Sequence, residues 1–301
     1  MGGERRQQAL AVSFEVCYAE RNQRKKGLPM AYEVKNLLNN DDIEQLDQNG
    51  CMRVIQYKRD LSILPWTAEM AYYASQMGCH KRQILCQLNQ RPGVIVQNGM
   101  MQWMLGEITV ATDVKGVGDL AHKFLKGAVT NESPIKPRYT GKGLFMLEPT
   151  YKHILLLNVA DWGGAVTLDD GMFLAAEDTL RITTQRRSNI SSAMFGNMGL
   201  WNTMVQGNGI LAVECDCPKE ELVEINLQND TLKVDGNFVV AWSSSLQFTT
   251  ERSTKTLIGS AVSGEGLVNV FRGTGKLWMM PVMGTSAEDR AAAFAAHVTN
   301  N

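Results

Sequence analysis

Gly264-Glu265-Gly266-Leu267-Val268-Asn269-Val270-Phe271-Arg272-Gly273-Thr274-Gly275-Lys276-Leu277-Trp278 holds two copies of one small device, Gly-x-Gly followed by a short β-prone run. The device occurs earlier as Gly141-Lys142-Gly143 before Leu144-Phe145-Met146-Leu147, and as Gly207-Asn208-Gly209 before Ile210-Leu211-Ala212-Val213. Glycine reaches positive φ without a Cβ clash, so each pair lets the backbone turn or bulge. The Leu, Val, Phe and Ile that follow suit a pleated, half-buried surface. The rival reading, phosphate binding, needs a third glycine at fixed spacing and a helix that opens at the glycines. Each pair here runs into a strand-like segment, and no P-loop lysine motif occurs. The pairs are therefore expected at strand starts, turns or bulges of one β-structure.

The rest of the chain agrees. From Arg138 onward short β-prone runs succeed one another, among them Leu144–Leu147, His153–Val159, Ala165–Leu168, Leu180–Thr184 and Ile210–Glu214. Asp169-Asp170-Gly171, Pro218, Asn229-Asp230 and Asp235-Gly236-Asn237 punctuate them. Upstream, Met52–Tyr57 and Gln83–Leu88 read as strands, Arg91-Pro92-Gly93 as a turn into Val94–Val96, and Glu107–Thr112 as a strand by its alternation. Three stretches break the pattern. Lys35–Leu46 is expected to form a short helix capped by Asn39 or Asn40. Trp66–Met77, rich in Ala, reads as a helix or an irregular excursion. Val117, Leu120, Ala121, Phe124, Leu125, Ala128 and Val129 form one apolar helical stripe.

Composition bounds the function classes. The 301 residues carry 44% hydrophobic residues and a net charge of −1, which describes a globular protein with no electrostatic case for nucleic acid. Residues 1–29 hold six Lys/Arg against three Asp/Glu and read as a solvated extension, ending in the charged run Glu20–Gly27. No secretory signal or membrane-spanning window is apparent, and a cytoplasmic location is expected.

Taken together, Asp235-Gly236-Asn237-Phe238-Val239-Val240-Ala241-Trp242, then Gly264-Glu265-Gly266-Leu267, then Arg272-Gly273-Thr274-Gly275-Lys276-Leu277-Trp278 resembles the altered inheritance of mitochondria protein 24 family. Asp170-Gly171-Met172-Phe173-Leu174-Ala175 is similar to its earlier turn-and-strand signature. Gln97-Asn98-Gly99-Met100-Met101 is similar to its N-terminal one, with Met100 where alanine is usual. The resemblance covers residues 52–283. It implies a mainly β, double-stranded β-helix like that of tryptophan RNA-binding attenuator proteins, and assembly as a homo-oligomer, a trimer. It brings no catalytic residues, and a fold shared with an RNA-binding ring does not confer RNA binding. The expected layout is an N-terminal extension with a short helix over 1–51, the β-helix domain over 52–283 with a helical insertion near 116–129, and a tail or short helix over 284–301.

Chemistry is sparse. His80, His122, His153 and His297 are scattered and form no His-x-His metal core. Asp169-Asp170 before Gly171 reads as a turn rather than a carboxylate pair. Ser191-Ser192 and Ser243-Ser244-Ser245 lack a histidine signature. The six cysteines, Cys17, Cys51, Cys79, Cys86, Cys215 and Cys217, are read as reduced and buried or incidental. Cys215-Asp216-Cys217 is too tight for a zinc knuckle, and strand alternation points its thiols to opposite faces. The methionine clusters at Met100-Met101, Met104 and Met279-Met280 read as packing. Trp103, Trp242 and Trp278 would stack on single-stranded RNA only if exposed beside a basic groove. No catalytic, cofactor or metal site is assigned. The expectation is a non-catalytic, homo-oligomeric β-scaffold or binding module. A ligand- or RNA-binding regulator using a β-helix groove is the alternative, and a cupin-like enzyme a distant one. Ile154-Leu155-Leu156-Leu157 exceeds the apolar content of a one-sided sheet, which predicts burial on both faces and supports assembly. The 117–129 stripe is expected to be a lid, or else a docking helix for a protein partner or a membrane surface; nucleic acid is an unlikely partner.

Overall fold

The computed structural model describes residues 32–112, 136–186, 201–252 and 267–282. The 117–129 stripe, Gly264 and Gly266, most of the N-terminal extension and the C-terminal tail lie outside them, as do Cys17, His122, His297 and Ser191-Ser192. Two units are distinguished, residues 1–37 and residues 38–301. Of the first, residues 32–37 have no helix or strand.

The second unit is mainly β. Its first sheet begins with β1 (Ile43–Asn49) and β2 (Met52–Tyr57), an antiparallel hairpin closed at Gly50. This corrects the helix expected over Lys35–Leu46. Asn40 does use its capping chemistry, since its Oδ1 accepts the Asp42 N–H at 2.9 Å, but the bond closes a turn. The same side-chain-to-backbone bond serves a helix cap or a turn, and the edge of β2 decides between them. The β-structure thus starts at residue 43, ahead of the boundary expected at 52.

After β2 the chain leaves the sheet through a 3-10 turn (Pro65–Thr67) and helix α1 (Ala68–Gln76), then returns in β3 (Arg82–Val96). The turn expected at Arg91-Pro92-Gly93 is instead an interruption within β3. Proline has no N–H to give the ladder, and the register to β5 shifts between Gln90 and Val94. The strands β4 (Met101–Ala111) and β5 (Arg138–Leu147) follow. β3, β4 and β5 run 15, 11 and 10 residues, longer than the short strands expected.

From there the chain alternates between two sheets. β6 (His153–Asn158), β8 (Phe173–Glu177) and β11 (Ile210–Cys215) join the first; β7 (Ala165–Leu168), β9 (Arg181–Arg186) and β10 (Trp201–Gln206) join the second. The second sheet is completed by β12 (Val223–Asp235), β13 (Val239–Ser243), β14 (Gln247–Arg252) and β15 (Leu267–Met279). Their orders are β1-β2-β3-β8-β11-β6, with β5 on β3 and β4 on β5, and β12-β15-β13-β7-β10-β9, with β14 on β15.

Each sheet forks at its long strand. β5 lies along one edge of β3, while β2 (at residues 82–86) and β8 (at 94–96) share the other. Likewise β12 lies along one edge of β15, while β14 and β13 share the other, either side of Gly273-Thr274-Gly275. The β8-β11-β6 branch is the middle layer of the protein. In β6, Leu155 and Leu157 join one core with Val166, Val205 and Val240 of the second sheet, while Ile154 and Leu156 join another with Val54, Ile84 and Phe145. Both faces of the Ile154–Leu157 run are therefore buried, as its composition predicts, but the cover comes from this chain. That run gives no argument for assembly.

The Gly-x-Gly pairs divide. Gly207 and Gly209 make the turn from β10 to β11, and Gly273 and Gly275 stand opposite a bulge of β12 between Leu227 and Asp230, as expected of turns or bulges. Gly141 and Gly143 sit mid-strand in β5, where a Cβ on Gly143 would stand 2.0 Å from the Leu105 carbonyl oxygen of β4. The requirement there is close approach of two backbones, not a turn.

Candidate functional site

The most unusual local structure is the excursion between β2 and β3. Pro65 opens the 3-10 turn, and Ala68, Ala71 and Ala74 favour the helix that follows. Gly78, at φ 76°, ends it. Neither the turn nor α1 buries a single residue. Trp66, Met70, Tyr73 and Met77 recur at i, i+4, i+7 and i+11, one helical stripe, and all four point to solvent, Trp66 at 79% and Met77 at 81% exposure. Leu61, Leu64 and Tyr72 widen this patch. Ala71, Ala74 and Ser75 are the half-buried side of the helix.

A stiff neck carries the patch. The Tyr57 N–H donates to the Lys81 carbonyl at 2.9 Å, and the Tyr57 hydroxyl donates to Gln83. Lys81 pairs with Asp60, and Arg59 Nε with Asp42. Arg82, itself buried, donates from its two Nη groups to the carbonyls of Gly78, His80 and Tyr151 at 3.0–3.2 Å. Burial lowers the pKa of this guanidinium. It ties Gly78 and His80 of the return loop to Tyr151 beyond β5, with no carboxylate partner among the described residues, so three carbonyl dipoles solvate its charge.

The residues singled out from sequence are mostly engaged in the fold. The Ser243 Oγ accepts the Lys276 N–H at 3.1 Å, the Ser244 and Thr167 hydroxyls share a 2.9 Å bond, and Ser245 donates to the Thr274 carbonyl at 2.9 Å. Trp242 is buried against Phe248 and Phe271, and Trp278 packs on Trp162 while donating to Glu224. Those two rings offer no stacking platform. His153 is half-buried opposite Cys215; burial first, then the Arg82 charge, lowers its pKa. Met280 is core, but Met101 and Met104 lie exposed on β4.

The cysteines need a correction. Cys215 and Cys217 do not point to opposite faces. β11 ends at Cys215, and the chain bends so that both thiols enter one core, with the Cys217 N–H 3.4 Å from the Cys215 Sγ. Burial pushes the Cys215 thiol up to about 11. Cys86 is pushed up too, by hydrogen bonding with Cys51 and then by burial. Neutral thiols in apolar surroundings are poor nucleophiles and poor metal ligands. Among the described residues no group of three His, Cys, Asp or Glu is placed to hold a metal ion, and no helix is long and apolar enough to cross a membrane.

Sequence reasoning reached the helix of the excursion but missed its exposure, and it missed Glu177. Glu177 is buried at the end of β8 and fills the fork of the first sheet. Its Oε1 accepts the Cys51 N–H at 3.2 Å and its Oε2 accepts the Ile210 N–H at 2.9 Å. The signal for the patch was present: residues 61–77 contain one charge, Glu69, between Lys58-Arg59-Asp60 and His80-Lys81-Arg82.

Comparison with known proteins places this architecture. An uncharacterised protein of Streptococcus pyogenes serotype M6 is 28% identical over 194 residues, which cover 62% of this chain and 75% of that one. The crystal structure of a Streptococcus pyogenes protein aligns with a TM-score of 0.54 and 23% identity, over 85% of this chain and 99% of that one, a likeness of fold. A family model described as mitochondrial biogenesis AIM24 matches residues 76–282, well over half of the sequence, and the chain belongs to this AIM24 family.

Proposed function

We propose that this protein is a non-catalytic, homo-oligomeric β-scaffold, assembled as a trimer in the cytoplasm on a double-stranded β-helix framework. The alternation of the chain between two sheets from β6 to β12 supports the framework. The engagement of Ser243, Ser244, Ser245, Cys86 and Cys215 in structural contacts supports the lack of catalysis.

The observation that carries assembly is β4. Among the described residues it pairs only with β5, which leaves one edge of an eleven-residue strand open, and none of its residues is buried. Met101, Met104 and Val110 are exposed, and Glu107 is its single charge. Edge strands that stay single are usually short, bulged or protected by lysine and proline. β4 has neither residue, and its one bulge, at Met101–Trp103, leaves the run from Trp103 to Ala111 regular. A second copy of the chain would satisfy both the open edge and the apolar faces.

Light scattering at micromolar concentration tests this. The expected mass is a multiple of 33.4 kDa, and Met104→Lys, which places a charge mid-edge, should lower it without changing the far-ultraviolet circular dichroism. A 33.4 kDa species for the parent protein, or an unchanged mass for the variant, refutes the proposal.

A further inference from the structure

We propose that the excursion between β2 and β3 docks the protein on the surface of an anionic lipid bilayer. The proposal is independent of how β4 is covered. The stripe of Trp66, Met70, Tyr73 and Met77, with Leu61, Leu64 and Tyr72 beside it, is exposed, and none of the described residues covers it. Tryptophan, tyrosine and long apolar side chains are the residues that settle at the boundary between headgroups and acyl chains, apolar body inward and polar edge outward. A nine-residue helix with one such face is too short to cross a bilayer and lies in that plane.

Charge selects this occupant over a purely apolar groove on another protein. The neck places two cations at its surface, Lys58 and Arg59, both exposed; Lys81 is paired with Asp60 and Arg82 is buried. Arg59 bonds Asp42 through Nε while its side chain stays 69% exposed, so its two Nη groups are not used in that bond and can donate to a phosphate. An apolar tip with cations at its base matches the depth profile of an anionic membrane, hydrocarbon first and phosphate above it. The neck hydrogen bonds hold the tip in place, so docking orders little that is not already ordered.

Co-sedimentation of the full chain with vesicles tests it, using phosphatidylcholine alone and phosphatidylcholine mixed with phosphatidylglycerol. The parent protein should pellet with the mixed vesicles and not with the neutral ones. Trp66→Glu combined with Met70→Glu should cut the bound fraction about tenfold or more, which corresponds to some 1.4 kcal/mol. Lys58→Glu with Arg59→Glu should remove the preference for anionic lipid. Since these positions are exposed, circular dichroism should be unchanged. Quenching of tryptophan emission by brominated acyl chains gives a second readout on the unaltered protein. Failure of the parent to pellet at low salt, equal binding to both vesicle types, or undiminished binding of the Trp66/Met70 variant overturns the proposal. So does a fall in mass of that variant by light scattering, which would show that a second copy covers the tip. A Met104→Lys monomer that still pellets keeps the lipid surface while separating it from assembly through β4.

Discussion

Removing Glu177 should loosen the turn of the β1–β2 hairpin from the start of β11, although β2 keeps its ladder to β3. Its carboxylate is the acceptor for two backbone N–H groups that the fork leaves without strand partners, Cys51 in the turn of the hairpin and Ile210 at the start of β11. In Glu177→Ala the Ile210 N–H stays buried and unpaired, which costs about 1–3 kcal/mol. The Cys51 N–H is half-exposed and can take water, so its loss adds about 0.5–1.5 kcal/mol. The sum is about 1.5–4.5 kcal/mol, a large share of the stability of a typical domain. Glu177→Gln keeps the volume but offers one carbonyl acceptor and turns an NH2 toward the other donor, so about 1–2 kcal/mol is expected. Gly50 supplies the cross-check. A Cβ there would stand 2.1 Å from Glu177 Oε1, on a backbone at φ 55°. Gly50→Ala should therefore combine a collision with about 1–2 kcal/mol of backbone strain. In the Glu177→Ala background the collision with the carboxylate disappears, so the two changes together should cost less than their sum by about 1 kcal/mol or more. Urea unfolding followed by circular dichroism measures all four proteins. A Glu177→Ala cost below about 1 kcal/mol, or strict additivity with Gly50→Ala, refutes the role given to this carboxylate.

Two further outcomes follow from the second sheet and from β4. Arg272 donates to both oxygens of Glu251, at 2.7 Å for Nη2, and with Thr249 holds the Glu251 carboxyl down to about 2. A depressed carboxyl stabilises above its unfolded value and loses that contribution as pH falls toward the folded one. Both partners are more than a third exposed, so solvent screening keeps the contribution of the pair small. The gap in urea midpoint between the parent and Glu251→Gln should be present at pH 7 and closed near pH 2; a gap that does not change with pH contradicts the assignment. Gly143→Ala would place a Cβ 2.0 Å from the Leu105 oxygen, forcing β4 away at a cost of about 3 kcal/mol. Amide hydrogen exchange across residues 101–111 should accelerate, and unchanged protection would show that β4 tolerates the contact.

The local signals were legible where one stretch decides its own structure. Asp169-Asp170-Gly171 and Asp235-Gly236-Asn237 are turns, Trp66–Met77 contains a helix, and Ile154–Leu157 is buried on both faces. What could not be read depends on distant partners. Asn40 chose a turn over a cap because β2 offers an edge. Cys217 joined the core of Cys215 because β11 stops one residue after Glu214. Glu177 meets groups 126 and 33 residues away in sequence, so nothing around it marks it out. The apolar tip is the clearest case. Its composition reads as core, and only the exposure of Trp66 and Met77, over which none of the described residues packs, makes it a surface.

The two forks explain why a chain of this family carries interruptions in its longest strands. A strand that serves two different partners along one edge must leave a notch between them, and the notch exposes backbone groups that no ladder satisfies. In β3 the interruption is Arg91-Pro92-Gly93; proline removes one donor, and the Gly93 N–H is taken by the Asp178 carboxylate at 2.9 Å. In β15 it is Gly273-Thr274-Gly275, sealed by Ser243 on the Lys276 N–H and by Ser245 on the Thr274 carbonyl. The glycines are needed because the sealing side chains come close: a Cβ on Gly275 would stand 2.9 Å from the Ser243 Cβ. The Gly-Thr-Gly that reads as a corner in sequence is thus the floor of a notch within one strand, and the serines beside it, which resemble a nucleophile cluster on paper, close that notch. The same reasoning assigns Glu177 and Asp178 together to the first fork, where two adjacent carboxylates that would attract a catalytic reading each hold backbone N–H groups instead.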